Sequence, residues 1–175
     1  MIARHPEVEA RLQDELQTVL GERPPEAADL SRLPYLRAIY DESLRLFPPI
    51  PTVARTATQE DAIRGHRIPA GTCVVLVSWL THRDPRWWPE PEKFDPERFL
   101  NGGSKASRPK YTYMPFGAGP RFCMGAGLAL LQGPMILATL AQKYRLCVAD
   151  DYEIRPRATI TVMPEGGLPV TLERR

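Results

Sequence analysis

The chain has 175 residues, 23 Lys and Arg against 21 Asp and Glu, a net charge of +2 at neutral pH and 43% hydrophobic residues. That length is compatible with one domain that buries a core, and the near balance of charge excludes a broad basic field for nucleic acid or for an anionic membrane surface. The three cysteines, Cys73, Cys123 and Cys147, are odd in number and far apart, which argues against a disulfide framework and for a reducing, cytoplasmic setting. No apolar run approaches the roughly 20 residues that span a bilayer, and the first residues lack the charged-then-apolar order of a secretory signal. The sequence thus carries no membrane segment of its own.

In chain order, residues 7–20 place Val8, Leu12, Leu16, Val19 and Leu20 at helical spacing, with Pro6 in front and Gly21 behind, which predicts an amphipathic helix. A second helix is predicted from near Pro34 to before Pro48. Its buried stripe is Leu36, Ile39, Tyr40, Leu44 and Phe47, and its other face carries Asp41, Glu42 and Arg45. Residues 1–47 are therefore a two-helix segment. Within 48–83, the stretches 53–58, 63–68 and 72–78 are rich in β-branched residues and punctuated by Gly65 and by Pro69-Ala70-Gly71, which predicts the strands of one small sheet. Residues 84–115 open on a proline-broken stretch, 84–99, that is too long for a turn. It reads as a meander pinned by Trp87, Trp88, Phe94 and Phe99.

Residues 116–125 form a glycine-laced loop, and 126–144 are apolar almost all round, through Leu128, Leu130, Leu131, Met135, Ile136, Leu137 and Leu140. That predicts a buried helix, kinked at Gly133-Pro134. Residues 145–175 alternate and turn at Pro164-Glu165-Gly166-Gly167, which predicts a terminal β-hairpin. The fold class is mainly α with small β-sheets, an α+β arrangement.

The loop Phe116-Gly117-Ala118-Gly119-Pro120-Arg121-Phe122-Cys123-Met124-Gly125 delivers one cysteine immediately ahead of a helix. Free N–H groups and the dipole at a helix N-terminus stabilise a thiolate, which is what a metal-bound sulfur needs. Gly119 and Gly125 permit close approach of the backbone to a flat ligand, Phe116 can pack against the sulfur, and Arg121 can pair with an anionic group.

This segment resembles the F-x-x-G-x-R-x-C-x-G signature of the cytochrome P450 family, matching all five fixed positions. By residue frequencies such a match arises by chance in roughly one chain in tens of thousands. Two weaker elements follow the order that family requires. Glu42-x-x-Arg45 is similar to its E-x-x-R motif, with i,i+3 spacing on one helix face, and Pro96-Glu97-Arg98-Phe99 is similar to its P-E-R-F element. The resemblance implies the C-terminal part of the cytochrome P450 fold, and a buried network of Glu42, Arg45 and Arg98 that serves structure and haem retention. It implies haem b as cofactor, with Cys123 as axial ligand to the iron, and O2 as cosubstrate. Arg55 and Arg121 would clamp the haem carboxylates or share one, and Ile50, Thr52, Val53 and Ile160 would lie along the substrate pocket. The partners implied are an apolar small-molecule substrate and a ferredoxin or flavoprotein electron donor, which Lys105, Arg108 and Lys110 could steer. His82 in His82-Arg83-Asp84-Pro85 reads as a hydrogen-bonded structural residue rather than a ligand.

The chain covers well under half of that family's pattern, and the A-G-x-x-T-like motif that delivers protons to bound oxygen is absent from it. The reading is therefore a haem-thiolate monooxygenase of soluble bacterial type, present as a portion that is not competent alone. The alternative is a non-catalytic relic or interaction fragment without stable haem. A zinc or iron–sulfur site would need clustered ligands such as C-x-x-C, and a cysteine nucleophile working with His66 or His82 lacks a supporting local signature.

Overall fold

The computed structural model describes residues 1–100, 109–149 and 151–175. Three helices carry the core. Helix α1, Pro6–Leu20, starts on a proline at a first-turn position and has Glu7 and Glu9 there to meet the positive end of its dipole. Helix α2, Pro34–Leu46, also starts on proline, and its free N-terminal amides are capped from α1. Glu15 accepts from Tyr35 N at 2.7 Å and from Leu36 N at 2.8 Å. Val8, Leu12, Leu16 and Leu20 of α1 meet Leu36 and Ile39 of α2 and Phe94 of the meander in one apolar cluster.

The segments read as one sheet form two separate antiparallel pairs. Strand β1, Thr52–Thr56, is followed by β2, Asp61–Ile63, β3, His66–Ile68, and β4, Cys73–Val77. Strand β1 pairs with β4, Thr52 opposite Val77, while β2 and β3 pair only with each other. The 63–68 stretch is the hairpin between β2 and β3 rather than a strand. Arg64 at φ 51° and Gly65 at φ 82° reverse the chain there in the left-handed region. One helical turn, α3, Ser78–Thr81, leads from β4 into the meander, in which Trp88 is fully buried, Phe94 is buried and Trp87 lies exposed.

Helix α4, Ala126–Lys143, runs unbroken through Pro134. The expectation of a buried helix is corrected. Its covered residues are Ala126, Pro134, Ala138 and Ala141, whereas Leu128, Leu131, Ile136 and Leu140 are exposed. Helices α1 and α2 pack on the side that carries Ala138, Ala141 and the half-buried Leu137. The small residues permit close approach. A Cβ on Gly133 would lie 2.2 Å from Tyr40 Cε2, and the Tyr40 hydroxyl donates to the Ala129 carbonyl at 3.1 Å.

The tail is two nested pairs rather than one hairpin. Strand β5, Tyr144–Cys147, pairs with the last strand β8, Thr171–Arg174, and between them β6, Pro156–Ala158, pairs with β7, Val162–Pro164. The turn at residues 164–167 joins β7 to β8, which are not partners. Among the described residues, the result is helices with four small antiparallel pairs.

Gly133→Ala should cost about 1–3 kcal/mol in chemical denaturation, because the new methyl group overlaps the Tyr40 ring. The same change made in a Tyr40→Leu chain should cost clearly less, and equal costs in both backgrounds would mean that the contact does not set the helix position.

Candidate functional site

The site is built outward from α2. Glu42 and Arg45 are fully buried, and each of the five guanidinium N–H groups of Arg45 has an acceptor. Nε and Nη2 reach the two Glu42 carboxylate oxygens at 2.7 and 2.8 Å. The remaining donors go to the carbonyls of His82 at 2.8 Å, Pro91 at 2.7 Å and Lys93 at 3.1 Å. Glu42 also accepts from the Asp95 amide at 2.9 Å, and Arg98 Nε lies 3.5 Å from it. The structure thus brings Glu42, Arg45 and Arg98 together, and one ion pair holds α2 to four separate points of the 82–95 segment, His82, Pro91, Lys93 and Asp95.

That segment positions the loop leading to Cys123. Trp88 lies beside Arg45, whose guanidinium carbon is 5.1 Å from the ring centroid, and its Nε1 donates to the Thr112 carbonyl at 3.3 Å. The Tyr113 hydroxyl donates to the Asp41 carbonyl at 3.0 Å and carboxylate at 3.1 Å; burial first, then the Asp41 charge, pushes its pKa well up. The Met114 amide donates to His82 Nε2 at 2.8 Å. Three consecutive residues are thereby fixed by three buried or half-buried side chains.

Beyond Met114 the loop turns at Gly117 and Gly119, with φ of 72° and 70°, a conformation that side chains disfavour on steric grounds. A single 3-10 turn, Gly119–Arg121, follows. The Cys123 amide donates to the Phe116 carbonyl at 3.0 Å, so the two ends of the loop face each other, and the Phe116 and Phe122 rings meet edge-on at 6.4 Å. Cys123 is exposed, three residues before α4 begins. A Cβ on Gly125 would meet Cys123 Sγ at an ordinary 3.8 Å, and its backbone is not left-handed.

The loop forms one wall of a concavity of about 410 Å³, in which Cys123, Arg121, Phe116, Arg55, Ile50 and Val53 all take part. Pro49, Met114, Pro115, Gly117 and Ala129 complete the lining, none of which sequence reasoning had singled out for this place. A smaller hollow of about 350 Å³ shares Val53, Arg55, Met114 and Gly117 and adds Gly119. Two residues expected along a substrate pocket do not line this concavity. Thr52 is exposed at the start of β1, and Ile160 is 87% exposed at the tip between β6 and β7, so neither lines the concavity. Arg55 is exposed and donates to the Ala54 carbonyl at 2.7 Å, which leaves its other donors free to turn inward. Lys110 sits 4.9 Å from the Tyr111 ring centroid, while Lys105 and Arg108 fall outside the described residues. Among the described residues no group of three or more His, Cys, Asp or Glu is placed to hold a metal ion, and no helix is long and apolar enough to cross a membrane.

His82 is fully buried and bonded on both ring nitrogens, Nδ1 to the Arg45 carbonyl at 3.2 Å and Nε2 to Met114 N. A carbonyl only accepts and an amide only donates, so the ring is neutral with its proton on Nδ1. Burial, helped by the charges of Arg45 and Arg83 and opposed by the bond to the Arg45 carbonyl, lowers its pKa from 6.5 to about 4.

A sequence model of the family described as cytochrome P450 matches residues 1–171. The chain is 39% identical over 175 residues to cytochrome P450 132 of Mycobacterium tuberculosis, covering all of this chain and 38% of that protein. It is 34% identical over 178 residues to human cytochrome P450 4V2, again over the whole chain and over 34% of the relative. With rice cytochrome P450 93G1 it shares 44% over 146 residues, 81% of this chain and 28% of that one. A solved zebrafish cytochrome P450 with abiraterone superposes with a TM-score of 0.87 at 32% identity, over 99% of this chain and 41% of its own. The chain thus spans well under half the length of these relatives. They come from bacteria, plants and vertebrates, so the likeness does not single out a bacterial type.

Two outcomes test the buried framework. Arg45→Leu strands the Glu42 carboxylate and should cost about 3–5 kcal/mol in unfolding free energy. The sign for His82 follows from its lowered pKa. As pH falls, the unfolded chain takes up the proton first, so the contribution of about 3 kcal/mol is full above pH 6.5 and is lost progressively down to about pH 4. Urea midpoints should fall across that window and fall less in His82→Gln.

Proposed function

The chain belongs to the cytochrome P450 family, and on that premise we propose that it is the haem-thiolate portion of a monooxygenase, with Cys123 as the axial ligand to haem b. The observation that carries this reading is the concavity in which an exposed thiol, two guanidinium groups and an apolar wall face one another.

The residues present fit such a group. Cys123 supplies a soft sulfur donor, Arg55 and Arg121 supply charge for two carboxylates, and no acidic side chain is among the lining residues to oppose them. Phe116, Ile50 and Val53 would give the apolar contact that a flat ring requires and would help to shield the sulfur once the ring is bound. When bound, haem supplies reductive activation of O2 and insertion of one oxygen atom into an apolar small molecule, using electrons from a ferredoxin or flavoprotein. The chain's own residues hold and orient. Cys123 is fixed through its amide, Arg121 through the 3-10 turn, and the Glu42–Arg45–Arg98 network keeps the 82–95 segment against α2, from which Trp88 and His82 reach the start of the loop. None of these three network residues lies in the concavity, which supports a role in retaining haem rather than in bond-making.

Turnover belongs, on this reading, to the complete fold. The exposed leucines of α4 and the 38% span of the mycobacterial relative support that division. A relic that binds no haem is the competing reading.

The test is a carbon monoxide difference spectrum of the reduced chain expressed with haem supply, beside Cys123→Ala. A red-shifted Soret band that the variant loses is the expected result, with no turnover of test substrates when a reductase is supplied. A band that survives in Cys123→Ala would overturn the ligand assignment, and haem-free protein would favour the relic.

A further inference from the structure

We propose that His82 is a positioning residue for the sulfur ligand, its neutral imidazole setting the start of the loop that presents Cys123 by accepting the Met114 amide. The inference rests on the assignment of Cys123 above, and it adds a residue that neither lines the concavity nor belongs to the Glu–Arg network.

The geometry is a relay of three hydrogen bonds. His82 Nε2 accepts Met114 N–H at 2.8 Å, the Met114 carbonyl accepts Gly117 N–H at 3.1 Å, and the Phe116 carbonyl accepts Cys123 N–H at 3.0 Å. Each bond fixes the residue that makes the next, from the buried ring to the backbone of the ligand. The other end of the ring is fixed just as firmly. Nδ1 donates to the Arg45 carbonyl, while the His82 carbonyl accepts from Arg45 Nη1 at 2.8 Å, so the two residues hold each other reciprocally. The imidazole is therefore placed by a fully buried side chain whose donors are all used, and its free lone pair has one direction in which to point.

A second proton on the ring would set N–H against N–H at Met114. The charged groups around His82 decide how readily that happens. Arg45 of α2 and Arg83 next in sequence oppose a cation, and Glu42 is already committed to Arg45. From the loop side, the Tyr113 ring packs at 5.3 Å between centroids with its hydroxyl held by Asp41, which also pairs with Arg37. No carboxylate among these groups is free to welcome the proton. The neutral acceptor is thus maintained, and with it the loop start.

The experiment follows amide exchange at Met114, Gly117 and Cys123 in the 175-residue chain, and the share of red-shifted carbon monoxide difference absorbance after haem supply. His82→Phe fills the space but accepts nothing, and it should lower protection of all three amides about tenfold or more and cut the red-shifted share severalfold. His82→Gln, whose amide oxygen can reach the place of Nε2, should restore most of both. Wild-type protection at Gly117 and Cys123 in the Phe variant would overturn the proposal. Where the Phe variant does not fold, the wild-type and Gln chains are compared between pH 7 and pH 4, with exchange corrected for its intrinsic pH dependence. Selective loss of loop protection in wild type is expected, and parallel loss in both chains would overturn the proposal. Cys123→Ala separates this idea from the one beneath it. That variant should lose the band yet keep the amide protection, and a band retained there sinks the ligand assignment while leaving the relay to stand on exchange alone.

Discussion

The buried ion pair between Glu42 and Arg45 is the constraint on which the rest of the structure depends. A guanidinium taken out of water is tolerated only when its charge is met and its donors are used, and here both conditions are satisfied at once. The acceptors come from residues that are adjacent to α2 only if the meander folds back along it. The pair therefore stabilises a path of the chain more than a contact. Once the path is set, Trp88, Asp41 and His82 stand where three successive loop residues can reach them, and the cysteine loop inherits its position from them. Order runs from a charge pair to a backbone and only then to a thiol.

This arrangement separates two demands that a ligand loop makes. The sulfur must be open to an incoming group, and Cys123 is exposed. The backbone carrying it must nonetheless be unique, since a ligand held loosely cannot impose one coordination. The chain meets both by placing the glycine turns next to the concavity and the anchors several residues upstream, in the dry interior. The apolar wall and the two arginines come from β1 and the loop, whereas the fixing bonds come from α2 and the meander.

Much of this was legible in the sequence, and the failures are physically instructive. Helices α1 and α2 appear in the spacing of their leucines because periodicity is local, and the cysteine loop is a contiguous signature. Glu42 and Arg45 sit one turn apart, so their pairing is also local, but their complete burial is not, because the residues that bond to them across the chain lie 37 to 53 positions away. Strand partners escaped for the same reason. A run from 63 to 68 looks like one strand unless Arg64 is known to adopt a left-handed conformation that arginine seldom visits. The tail shows an evident turn at residues 164–167, yet the strands it joins take other partners, a matter of pairing between distant segments that composition does not encode. Thr52 and Ile160 were read as substrate-pocket residues by analogy of position, and in this chain they lie outside the concavity that holds Cys123.

Helix α4 inverts the usual order of a surface helix. Its buried residues are Ala126, Pro134, Ala138 and Ala141, with Leu137 packed against the core, while Leu128, Leu131, Ile136 and Leu140 face outward. Apolar area of that kind in water is driven to find cover, with a strength that grows with the number of molecules available to provide it. The colloidal behaviour of the chain is thereby coupled to concentration.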